Sequence, residues 1–73
     1  MVNINELKEL IAGELSALEK ADSYKLCWAR YGRVTAFIDM LGVNVTQKEY
    51  AGTQLNRAID TLQRKLKGFQ GGN

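Results

Sequence analysis

The chain has no proline and no histidine, and only one cysteine and one tryptophan. Each scarcity excludes something. Without histidine, the side chain that most often moves protons near neutral pH is missing, and Cys–His and Ser–His–Asp arrangements are ruled out. One cysteine forms no intrachain disulfide, and with no histidine beside it no standard structural zinc site can be assembled. No run approaches the roughly 18 consecutive apolar residues of a membrane span. The first residues lack a basic flank followed by an apolar core, so no signal peptide is expected. No glycine-rich phosphate loop occurs, because Gly71-Gly72 has no helix after it. Carboxylate pairs such as Glu6 with Glu9 share a polar helical face and read as solvated charge. The expectation is a non-enzymatic cytoplasmic protein with no cofactor, no metal and no membrane partner.

What is present is helical patterning on a short chain. Seventy-three residues make one domain. A domain of this size buries a limited fraction of its surface and is marginal unless stapled, well idealised or oligomeric. With no staple available, self-association becomes a reasonable expectation.

Ile4, Leu7, Leu10, Ile11, Leu15 and Leu18 fall at helical spacing and predict a first helix over about 4–20. Asn3 can cap it, with Glu6 near the positive end of its dipole. Ala21-Asp22-Ser23 is a junction with no glycine or proline to enforce it, so one long bent helix over 4–41 is the rival. Leu41-Gly42 reads as a stop through a left-handed glycine. Thr46-Gln47-Lys48-Glu49 has the form of a capping box. The last helix, about 46–67, carries Ala51, Leu55, Ala58, Ile59, Leu62, Leu66 and Phe69 on one stripe, with Gly68 as its C-cap. The fold expected is all-α, a three-helix unit (about 4–20, 23–41 and 46–67) dimerising into a larger helical bundle. Residues 1–69 form the domain and 70–73 a flexible tail.

The middle segment, Ser23 to Leu41, organises the rest. At ~100° per residue, Tyr24, Cys27, Tyr31, Val34, Ile38 and Leu41 share one arc, with Trp28 at its edge. This is an ordinary buried face, and Cys27 on it reads as a small core residue. A second arc holds Leu26, Ala29, Ala36, Phe37 and Met40, with Arg30 and Arg33 beside them. A helix on a monomer's surface needs one apolar stripe, so the second must meet another helix of the chain, a second copy, or a different protein. Aromatics, methionine and arginine are the residues enriched at interface anchors. Leu26, Ala29, Arg30, Arg33, Phe37 and Met40 are therefore the candidate partner or dimer surface. Gly32 is either a tolerated defect or a place where another backbone crosses closely.

Charge is uneven along the chain. Residues 1–22 carry Lys8 and Lys20 against Glu6, Glu9, Glu14, Glu19 and Asp22, a net of −3. Residues 46–73 carry Lys48, Arg57, Arg64, Lys65 and Lys67 against Glu49 and Asp60, a net of +3. Attraction between the first and last helices accounts for this simply. The alternative is a basic surface for phosphate, using those five side chains on a nucleic-acid-binding regulator. A helix-turn-helix around Leu41-Gly42-Val43 fits poorly, because Lys48 stands where that motif wants a buried aliphatic residue and Ile38 where it wants a small one. The function expected first is a small regulator or inhibitor that occupies the surface of a partner protein as a homodimer. In general style this resembles accessory proteins of phages and plasmids.

Overall fold

The structure, a computed structural model, describes residues 3–71, with side chains through Phe69. Three α-helices follow one another: α1 (Ile4–Lys20), α2 (Tyr24–Gly42) and α3 (Lys48–Gly71), with a 3-10 turn at Val45–Gln47 between the last two. No strand occurs among the described residues. The expected all-α three-helix unit is the architecture found.

Side-chain caps set where the first two helices begin. Asn3 Oδ1 accepts the Glu6 amide at 2.8 Å, and its Nδ2 donates to Glu6 Oε1 at 3.1 Å. Ser23 Oγ accepts the Leu26 amide at 3.1 Å, with Ser23 itself in extended backbone. A cap of this kind contributes about 1 kcal/mol. Ala21 is also extended, so α1 and α2 are separate helices and the single bent helix is not formed.

The turn between α2 and α3 departs from the expectations. Thr46 does not cap α3. Asn44 Oδ1 takes the Thr46 amide at 3.0 Å and the Thr46 hydroxyl at 2.6 Å, which winds residues 45–47 into a 3-10 turn ahead of Lys48. Asn44 is nearer in sequence and takes the Thr46 amide that a capping box would give to the Glu49 carboxylate. Gly42 is not left-handed, since no described glycine has positive φ. It closes α2, and Val43 and Asn44 donate back to Asp39 and Leu41. A Cβ added at Gly42 would sit 3.6 Å from the Ala51 Cβ, an ordinary contact. Gly42→Ala is therefore expected to stabilise the fold by up to ~1 kcal/mol through helix propensity, read as a higher urea midpoint. Gly68 is no cap either: α3 continues through it to Gly71. Of the tail expected over 70–73, residues 72 and 73 lie outside the described residues.

The helix α2 is the middle element and packs on both neighbours, while α1 and α3 touch each other less. The unit is 43 Å long, 20 Å wide and 13 Å thick, a flattened arrangement rather than a round bundle. Its core has two parts. Leu7, Ile11, Val34, Ile38, Leu41, Ala51 and Ala58 form the larger, and Leu18, Ala21, Cys27 and Leu62 the smaller. Cys27 is fully buried, as its place on the main arc predicts. Glu19 ties α1 to the far half of α3. Its carbonyl accepts Lys65 Nζ at 2.7 Å, and its carboxylate lies 3.7 Å from Arg64 Nη2. These contacts give the simple account of the charge asymmetry a structural form.

The buried face of α3 is turned relative to the apolar stripe. Ala51, Gln54, Ala58, Thr61 and Leu62 are buried, whereas Leu55, Ile59 and Leu66 are half-buried. At ~100° per residue the rotation is about 50°. It follows from α3 facing two helices at once: the short side chains of Ala51 and Ala58 allow close approach, and Gln54 and Thr61 turn toward the α1 side.

Candidate docking face

On α2 the buried residues are Cys27, Val34, Ile38 and Leu41. The α1 side of that arc is marked by Arg33, whose Nε lies 3.3 Å from Glu14 Oε1. The pair lacks hydrogen-bond alignment, so Glu14 Oε1, although buried, is held by charge alone. The α3 side is marked by Gly42 against Ala51. Between those two sides the outer face of α2 has no neighbour in the chain. It carries Lys25, Trp28, Ala29, Gly32, Ala36, Asp39 and Met40, all exposed.

The residues expected on the second arc divide. Leu26 and Phe37 are half-buried and pack against the smaller and larger core clusters respectively. Arg30 is half-buried, and Arg33 is spent on Glu14. Ala29 and Met40 stand on the open face, Met40 at 53% exposure. The arc is thus shared between α1 and solvent.

Two residues expected in the main buried arc instead lie open. Tyr24 is 56% exposed and Trp28 44%. Both lie about 70° or more from the centre of the buried arc, beyond the reach of α3. They are ordered by stacking edge to face: Tyr24 on Trp28 with centroids 6.5 Å apart, and Trp28 on Tyr31 at 5.9 Å. Such pairs add roughly 0.5–1.5 kcal/mol each and pre-set the ring orientations. Leu10, expected in the α1 stripe, is also exposed. It lies one turn from Glu14, on the flank of α1 that borders Arg33. Tyr24 and Trp28 therefore mark the N-terminal end of the outer face of α2, on its α3 flank, and Met40 its C-terminal end, on the α1 flank. The other large exposed apolar side chains, Val43 and Val45, belong to the connector. An exposed apolar patch of this composition, with a row of short side chains through its middle, is the form of an interaction surface. The warning in the sequence was that Trp28 sits at the edge of its arc; which way it would tip depended on where α3 lay.

The five basic residues of the alternative reading do not share a face. Lys48, Arg57, Arg64, Lys65 and Lys67 spread around more than half of α3 at ~100° per residue. Arg64 is bound to Asp60 at 3.1 Å and approaches Glu19, and Lys65 caps the end of α1. A shallow groove of roughly 530 Å³ between α1 and α3 has Arg57 and Arg64 on its wall together with Glu19 and Asp60, so its charges are mixed.

Among the described residues no cluster of three or more His, Cys, Asp or Glu side chains could hold a metal ion, and no helix is long and apolar enough to cross a membrane. No protein-family model, curated protein or solved structure matches the chain.

Proposed function

We propose that this chain is a non-enzymatic protein-binding module, a small regulator or inhibitor that acts by covering part of a partner protein with the outer face of α2. The observation that carries this reading is the exposure of the Tyr24–Trp28 pair and of Met40 on the one face of α2 that has no neighbour among the described residues. Exposed tryptophan, tyrosine and methionine are what interface centres use: the two rings supply large contact area at low cost in side-chain order, and methionine adapts its shape to the partner. The nucleic-acid alternative has less behind it. Its basic residues point in several directions, and two of them are tied to α1.

Placing a photo-crosslinking amino acid at Trp28, and separately at Arg57, tests the choice in extract of the cells that make the protein. The expected result is a covalent adduct to protein from position 28, retained in high salt. A nuclease-sensitive adduct from position 57, with none from 28, would overturn the reading in favour of nucleic acid, whose contacts weaken steeply with salt.

A further inference from the structure

Resting on that reading, we propose that a second copy of this chain covers the face when the partner protein does not, with the two α2 helices antiparallel and a two-fold axis level with Gly32. Lys25 lies in the first turn of α2 and Asp39 in its last, and neither makes an ion pair or side-chain hydrogen bond among the described residues. Both oppose the helix dipole, which favours acids at the N-terminus and bases at the C-terminus. Within one chain this arrangement is a small cost with no return. Lys25 and Asp39 are each seven residues from Gly32, about 10.5 Å along the axis in opposite directions. A two-fold axis at Gly32 sets each Lys25 against Asp39 of the other copy. The lysine then also sits at the negative end of the partner helix, and the aspartate at the positive end.

The same axis matches the remaining side chains by size. A residue k positions before Gly32 meets the one k positions after it in the other copy. Trp28 meets Ala36, so the largest side chain of the face falls on one of the smallest. Ala29 meets Thr35. Tyr24 and the Met40 of the other copy are level but fall on opposite flanks of the seam. Gly32 meets Gly32, where the missing Cβ atoms allow the backbones to approach. In the single chain nothing lies within 4 Å of a Cβ built at Gly32, so the glycine relieves no crowding there. A near-antiparallel crossing of about 20° keeps the charged ends in register. A single helix pair buries less than the ~800 Å² per partner of a standard interface, so the association should be reversible and concentration-dependent.

Solution mass by sedimentation, over a range of concentrations, tests this on the full chain. Wild type should move from monomer to dimer. Lys25→Glu and Asp39→Lys should each weaken the dimer about tenfold, since each change makes two repulsive contacts across the axis. The double variant Lys25→Glu/Asp39→Lys should restore it. Neither change threatens the fold, because each corrects the helix dipole. Gly32→Leu should weaken the dimer by about 100-fold or more by parting the helices, while its helix content and urea midpoint hold or rise. A chain that stays monomeric at every concentration overturns the self-pairing. So does a dimer unmoved by the single reversals, or single losses that the double swap fails to rescue. These failures are distinct from failure of the protein-binding reading. A monomeric chain whose position-28 probe still captures a different protein overturns only the second copy as occupant. No protein adduct from position 28 overturns both.

Discussion

Truncating Ile11 to alanine is expected to cost about 3 kcal/mol, roughly a third or more of the stability of the fold. Ile11 is fully buried in the larger core cluster, against side chains of all three helices. Removing its outer carbons forfeits their transfer energy and leaves a cavity that flanking helices close only in part. A domain of 73 residues has roughly 4–10 kcal/mol in total to lose. The urea midpoint should fall steeply, and the native helical signal should be incomplete at 37 °C. Leu10→Ala, one residue away in the same sequence stripe, should change stability by no more than ~0.5 kcal/mol, because Leu10 is 42% exposed. Equal effects at the two positions would mean that α1 is rotated from the orientation described.

The second large effect comes from adding volume. Ala58 is fully buried on the face of α3 that packs in the larger core, in line with Ala51 a heptad earlier. These short side chains set how near α3 lies to its neighbours. Ala58→Leu keeps helix propensity almost unchanged and adds three carbons where there is no room. We expect a loss of about 3 kcal/mol in chemical unfolding from overpacking. Leu55, half-buried on the neighbouring strip of α3, should tolerate a change to methionine with less than ~1 kcal/mol lost. If Ala58→Leu were as mild as that, close packing of α3 would not be what holds it.

These two positions also mark where the sequence could be read and where it could not. The number of helices, the cap at Asn3, the break within Ala21-Asp22-Ser23 and the burial of Cys27 follow from local rules. They were legible because each depends on residues within one or two turns. The rotation of α3 toward Gln54 and Thr61 depends on the position of α1 and α2 together, and no periodicity within α3 encodes it. The same holds for Tyr24 and Trp28. Their spacing fits an apolar arc, but burial required α3 to lie farther round α2 than it does. Phe37 shows the converse. It belongs to an arc that looks free in the sequence, and it is packed against the core because Glu14 and Arg33 draw α1 to that side. The turn at Asn44 was missed for a simpler reason: a nearer side-chain acceptor displaced the capping box.

Trp28 is the only tryptophan, and it stands on the face to which this account assigns both partner binding and self-pairing. Its fluorescence emission, followed over the same concentrations as the solution mass, is the most direct measurement. The maximum should shift to shorter wavelength as the mass rises, because the ring leaves water for the partner's Ala36, and the shift should be lost in Gly32→Leu. An emission maximum that stays constant while the mass doubles would contradict it, because the copies would then meet through some other surface.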